Sequence, residues 1–546
     1  MALPPTQTPY SPGDFTALRK DIFDQAIKAI VDSSRVENDN YVLSLDGVEY
    51  DGGVPEYSKR DQKNAVYNNK SLSASIRGRW VLTDKATGQV VSKSSLRKLM
   101  EVPYLTERGT FIRNGSEVTL PIQMRLVPGI YAIMGENGEA KAQINTQPGT
   151  GRAMQITMNP ANPVFKLKAG TRNYSLYPIL KHAGVKDTDL QKAWGKEIFD
   201  ANYKDFVKGG GWYTGDRGDN PDDNPYERIA QDVFGGKIDP INAKMTFGEA
   251  FDTIDPNVLT KTSTRLLALT RGEIDSDNRD SLENQRFVMA PEMIAERIRK
   301  DAGGTMRNIL WKATKDGNVD RIPPAALSRY IHSLFTDSGL SQVIEETNLL
   351  DAYQRATKIT RMGEGGISSI DSAPMSSRMV HNTYKAFVDP VSSVESLRVG
   401  LDTQAAINVL KGNDGLIYSP LINAVSGRKQ LVSSIESSVV PVAFAEYRNS
   451  TLPVIPAMVG NSLQYLPRKD IKYFVPNGDS LFSLSSNLVP MKAGIKAGRL
   501  LMAQKHQTQA MALSDRMAPY VQTLDPSGEN VTVEQKYGNI MGAIRA

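Results

Sequence analysis

The chain contains no cysteine. That absence excludes disulfides, thiolate nucleophiles and every zinc site built on cysteine. Histidine is nearly as scarce. The four present, His182, His332, His381 and His506, are far apart and have no ligand-like spacing. A metal held by this chain would need carboxylates. No apolar run approaches the roughly 18 residues of a membrane-crossing helix, so no membrane partner is expected. The N-terminal "MALPPTQTPYSPGDF" lacks the basic-then-apolar order of a secretory signal and reads as a proline-rich tail. Nor does one sign of charge dominate: 65 cations face 60 anions. Nucleic-acid binding would therefore have to come from local clustering.

What is present fits a globular chain. The 546 residues are 40% hydrophobic and 23% charged, enough for roughly three or four domains. Phe15, Leu18, Ile22, Ile27 and Ile30 predict an amphipathic helix over 14–34. From about 40 to 135 the pattern is short strands, with turn signals at Asp46-Gly47, Asn114-Gly115 and Asn137-Gly138. Strands and then helices are expected from 140 to about 255. The stretch 280–362 reads as mostly helical, strands return after 380, and a last helix is expected over 493–518. In the loop 208–225, Asp216, Asp219, Asp222 and Asp223 do not have calcium-loop spacing, and a solvated loop is expected there.

Catalytic signatures are missing. "PGTGR" (148–152) lacks the Gly-Lys-Ser/Thr ending of a phosphate loop. No nucleophile elbow, paired-histidine motif or dinucleotide fingerprint occurs. Two-metal nucleotidyl transfer needs clustered aspartates, and no such cluster is found. No chemistry is expected from this chain alone.

One stretch carries more information. "SGLSQVIEETNLLDAYQRATKITRMGEGG" (338–366) joins a half-polar segment, a basic run and a glycine-rich turn. It resembles the rifampicin-region core of the β subunit of multisubunit RNA polymerases: Ser-x-Leu-Ser-Gln in a helix, then Asn and Leu, a basic run, and Gly-x-Gly-Gly. Four further segments are similar to that family in the same order. They are "LTERGTFIRNGSEVTLPIQMRLVPGIY", "GEIDSDNRDSLENQRFVMAPEMIAERIRK", "VHNTYKAFVDPVSSVESLRVGL" and "NLVPMKAGIKAGRLLMAQKHQTQA". The likeness covers about residues 30–530 and only the N-terminal half of a β subunit, as in the split β subunits of giant (phiKZ-like) bacteriophages.

The resemblance implies a mixed α/β, multidomain fold. It places a tail and the start of the first helix at 1–29, a protrusion at 30–139 and 259–335, and a reduced lobe at 140–258. The fork and rifampicin region would follow at 336–440, and an external region with the start of the hybrid-binding region at 441–546. It implies a subunit of a DNA-directed RNA polymerase that walls the active centre without holding its magnesium. Those aspartates would come from β′-like fragments, and the rest of β from a second fragment. DNA template, RNA transcript and NTPs would be the ligands, with room for a promoter-specificity subunit. The location would be the infected bacterial cell or the virion.

By matching position, Arg499 would contact the NTP triphosphate. Gln342, Arg355, Lys358, Glu395, Lys505, Gln509 and Gln123 would lie near the RNA or hybrid. The drug pocket departs from the family: Arg355 replaces a histidine, Thr357 an arginine, Thr360 a serine and Val343 a phenylalanine. Resistance to rifampicin is expected. The alternative reading is a non-catalytic virion protein of β ancestry.

Overall fold

Asp14 opens the first helix, its Oδ1 accepting from the Ala17 amide at 3.0 Å. The helix runs Phe15–Asp32 and buries Phe15, Leu18, Ile22, Phe23, Ala26, Ala29 and Ile30, close to the predicted stripe. The structure is a computed structural model that describes residues 9–135, 137–170, 172–208, 230, 233–316, 318–336, 338–344 and 347–510. The aspartate-bearing loop, from 209 on, and the end of the helix expected over 493–518 lie outside the described residues.

The chain divides into two units, one of residues 1–125 and 281–546, the other of 126–280. The second begins earlier and ends later than the 140–258 segment read from sequence. Its antiparallel sheet starts at Gly129–Met134 and runs in chain order to Arg172–Ser175. Helices including Asp187–Trp194 and Pro256–Thr270 share a core with that sheet.

In the first unit, helix Phe15–Asp32 packs on the long helix Ala290–Asp316. Both contribute to a core with the sheet built on Tyr41–Tyr50 and Ser73–Asp84. Asp46-Gly47 is not a turn there. Tyr41–Tyr50 continues through it as one strand, with a register shift between Asp46 and Glu49. Gly47, at φ +60°, absorbs the extra residue of a bulge. Asn114-Gly115, at φ +47° and +78°, does make the predicted hairpin turn.

A second sheet in this unit positions the candidate site. Its order is Gln285–Val288, Ile122–Leu126, Lys358–Thr360, Asp402–Ala405 and Val388–Ser393. Lys358–Thr360 runs parallel to Ile122–Leu126 and antiparallel to Asp402–Ala405. This brings segments more than 200 residues apart in sequence side by side. A seven-stranded sheet is formed by strands between Leu410 and Phe474.

The expected helix at Ser338–Gln342 is corrected. Gln342–Val343 is a short strand on Val118 and Thr119. The helix begins only at Leu349, where Asn348 Oδ1 accepts from the Asp351 amide at 2.9 Å. Strand pairing satisfies the backbone at 342–343, and the asparagine cap sets the helix start.

Candidate functional site

The basic run does not form a row of free cations. On helix Leu349–Ala356, Arg355 Nε lies 3.1 Å from each carboxylate oxygen of Asp351, one turn earlier. On the following strand, Lys358 Nζ donates to Gln342 Oε1 at 2.9 Å and lies 3.4 Å from Asp402 Oδ2. Burial pushes the Lys358 ammonium below the usual lysine range, and the Asp402 charge opposes that shift. Asp402 is buried and also accepts from Thr360 Oγ1 at 2.6 Å. Gln342 and Lys358 are thus brought together. Arg355 and Lys358 are both paired, and of the four charges only Arg355 is substantially exposed.

The glycine turn that follows is shaped by its own neighbours. Gly363 and Gly365 sit at φ +104° and +83°. A Cβ on Gly363 would lie 2.4 Å from Leu340 Cδ2 and 2.7 Å from Gln123 Nε2. Gln123 is fully buried and donates to the Met362 carbonyl at 2.7 Å. Its Oε1 accepts from Arg125 Nε at 2.7 Å, and Arg125 pairs with Glu296 at 2.5 Å. Gln123 therefore reaches this region as a support under the turn. Gly363→Ala is expected to destabilise the first unit by about 2 kcal/mol or more, through both steric overlap and strain at positive φ. A denaturant midpoint unchanged from wild type would show that Leu340 and Gln123 give way freely.

The other candidate residues gather around the last described helix, Ala497–Gln509. Its buried stripe is Leu500, Gln504 and Thr508, at helical spacing. Gln504 Nε2 donates to Ser392 Oγ at 2.8 Å and also bonds Ser485. Lys505 Nζ meets Glu395 Oε2 at 2.7 Å, so two predicted residues form one ion pair. Gln509 is exposed at the helix end. Asn348 Nδ2 donates to the Gln507 and Ala510 carbonyls, each at 2.8 Å. One asparagine thus caps the basic helix and holds the end of the last one.

Arg499 stands apart from these pairs. It is exposed, and among the described residues its side chain is held only by a 3.4 Å approach of Nη1 to Met502 Sδ. No carboxylate pairs with it among those residues. It lies on the first turn of its helix, behind Lys496, whose side chain gives no cap to the helix amides. A helix start without a side-chain cap, and a guanidinium without a carboxylate partner among the described residues, together suit a phosphate-bearing ligand.

Sequence reasoning missed Asp351, Asp402 and Gln504, and it placed Asn348 in the motif without foreseeing its capping role. The i,i+4 spacing of Asp351 and Arg355 was a usable signal, as was the asparagine before Leu-Leu-Asp. Nothing local marks Asp402 or Gln504.

Lys385 was also missed. Its Nζ is buried with no hydrogen-bond partner among the described residues, and burial lowers its pKa to about 8. The unfolded chain, with an ordinary lysine, therefore binds more protons between about pH 8 and pH 10.5. Stability contributed by this group rises with pH through that window, and below it the charged form is a constant cost. Lys385→Met is expected to stabilise the chain at pH 7 by up to about 3 kcal/mol. The gap from wild type should close as pH rises toward 10.5. A gap independent of pH would mean that packing, not charge, is responsible.

No protein-family model matches the chain. It is 24% identical to the DNA-directed RNA polymerase subunit beta of Prochlorococcus marinus (strain MIT 9515), over 86% of this chain and 47% of the relative. It is 25% identical to the subunit of the same name from Thermus thermophilus, over 88% of this chain and 46% of the relative. The chain spans about half the length of the curated relatives it matches. Over 86–88% of its length, the chain is similar to β subunits of DNA-directed RNA polymerases.

Proposed function

We propose that this chain is a subunit of a multisubunit DNA-directed RNA polymerase and forms one side of its DNA cleft and part of its active-centre wall. The observation that carries this reading is the colinear likeness to β subunits over 86% of the chain, in which the Arg499 helix is joined to the basic segment through Asn348. Arg499 would receive the triphosphate of the incoming NTP. Gln342, Arg355, Lys358, Lys505 and Gln509 would line the path of RNA or hybrid, with Glu395 holding Lys505 in place. Gln123 would act from below, by fixing the glycine turn.

Magnesium, when bound, would stabilise the charge developing on the transferred phosphate. Its ligands would come from a β′-like partner, as the sequence resemblance implies. The finer reading follows the sequence resemblance: a split polymerase of a giant bacteriophage. Its 30–139 and 259–335 segments would be the protrusion, 140–258 the lobe, and 336–440 the fork. A second β fragment, β′-like fragments and a specificity subunit would complete it, in the infected cell or the virion.

The test is to tag the chain, isolate its native complex during infection and identify stoichiometric partners by mass spectrometry. Recovery of a second β fragment and β′-like chains, with NTP-dependent RNA synthesis, is the expected outcome. That synthesis should resist rifampicin, because Arg355 is held by Asp351 and the Thr357 hydroxyl engages the Tyr353 carbonyl at 2.9 Å. Recovery of capsid proteins alone, with no RNA synthesis, would replace the polymerase reading with the structural one.

A further inference from the structure

Trp80 and Trp194 are each only 1% exposed, and tryptophan is highly buried on average. Trp311 is 63% exposed. It lies near the end of helix Ala290–Asp316, where the helix and the segment 318–326 enclose a groove of about 450 Å³. Buried Ile309, Ala313 and Ile322 contribute aliphatic surface to the groove. Lys312 and Lys315 also line it, and among the described residues no acidic side chain does. Lys315 Nζ sits 5.5 Å from the centre of the Trp311 ring, within cation–π range. Neither ammonium meets a carboxylate among the described side chains.

Lysines near a helix C-terminus are favoured by its dipole. That accounts for the charges but leaves the tryptophan unexplained. An exposed aromatic beside an aliphatic groove has the composition of an interface anchor. Two exposed cations beside it, with no carboxylate partner among the described side chains, call for negative charge in whatever binds.

We propose that this groove is a docking site for an acidic segment of another protein. An apolar side chain of that segment would enter between Trp311 and Ile322, and flanking aspartates or glutamates would meet Lys312 and Lys315. The chemistry favours a peptide over a single-stranded nucleic acid. A nucleic-acid track presents several aromatic faces and a line of cations along a backbone. Here one ring and two lysines border a pocket lined with aliphatic side chains. The site belongs to the first unit and does not rest on the polymerase reading.

The test uses the full chain. A random 12-residue peptide library is displayed and selected on wild-type protein, with counter-selection on the Lys312→Glu/Lys315→Glu double variant. All of these side chains are exposed, so thermal midpoints should stay at the wild-type value. Enriched peptides are expected to carry an aromatic or aliphatic residue flanked by acids and to quench tryptophan fluorescence. Their affinity should fall at least tenfold in the double variant and in Trp311→Ala, and should weaken with added salt. The proposal is overturned if no peptide is enriched over a bare surface, or if enriched peptides bind the variants equally well. It is also overturned, in favour of nucleic acid, if a 20-nucleotide oligo(dT) binds at this groove instead and is lost on charge reversal.

Discussion

Asp389→Ala is expected to destabilise the first unit by about 4 kcal/mol, near the upper end for a single substitution. Asp389 is only 2% exposed and accepts four hydrogen bonds. Its Oδ1 receives the amides of Val391 and Ser392 at 2.8 and 3.1 Å. Its Oδ2 receives the Ser483 amide at 2.8 Å and the Ser486 hydroxyl at 2.6 Å. Alanine would leave these donors buried and unmatched, at roughly 1–3 kcal/mol each before relaxation. Asp389→Asn should also be costly, because one oxygen becomes an NH₂ group facing donors. The network extends through Ser392 and Ser485 to Gln504 on the last helix. Hydrogen exchange should therefore show lost protection spreading from 483–489 into 497–509. A cost below about 1 kcal/mol, or exchange confined to 389–392, would show that the network does not hold that helix.

The first helix was readable because its cap, stripe and end lie within about twenty residues. The Asn114-Gly115 hairpin was readable for the same reason: two residues with positive φ determine it. Asp46-Gly47 carried the same turn signal but sits inside a strand paired to its neighbour almost throughout. Tertiary pairing overrode the local preference there. At Ser338–Val343 the apolar spacing suggested a helix, and a strand more than 200 residues away in sequence claimed the backbone instead.

The candidate site shows the same division. Arg355, Lys358 and Lys505 could be named from sequence, but their counter-charges could not all be. Asp351 is one helical turn from Arg355. Asp402 is reached only when the sheet aligns it with Thr360. Glu395 reaches Lys505 only when the last helix lies along Val388–Ser393. Gln123 was named as lying near the RNA or hybrid, and its amide lies under the glycine turn, because the parallel pairing sets Gln123 beside Thr360. Local residue types identified which segments matter. Long-range pairing decided which of their charges remain free.

That distinction singles out Arg499, whose replacement should have the largest effect on activity and almost none on folding. Among the described residues its exposed guanidinium is held only by Met502 Sδ, so Arg499→Ala should change stability by no more than about 0.5 kcal/mol. If the chain acts in a polymerase as proposed, the guanidinium and the uncapped helix start would meet a triphosphate. Loss of such a donor from developing phosphate charge typically lowers turnover by about 10²–10³-fold. Arg499→Lys should recover part of that loss, since it keeps the charge but gives up the paired geometry. Lys505→Ala provides the contrast: its ammonium is already held by Glu395 at 2.7 Å, so its removal should cost less. The measurement is single-nucleotide incorporation by the native complex carrying each variant, read as rate against NTP concentration. A stable Arg499→Ala complex that incorporates NTPs at the wild-type rate and concentration dependence would remove the nucleotide from this helix.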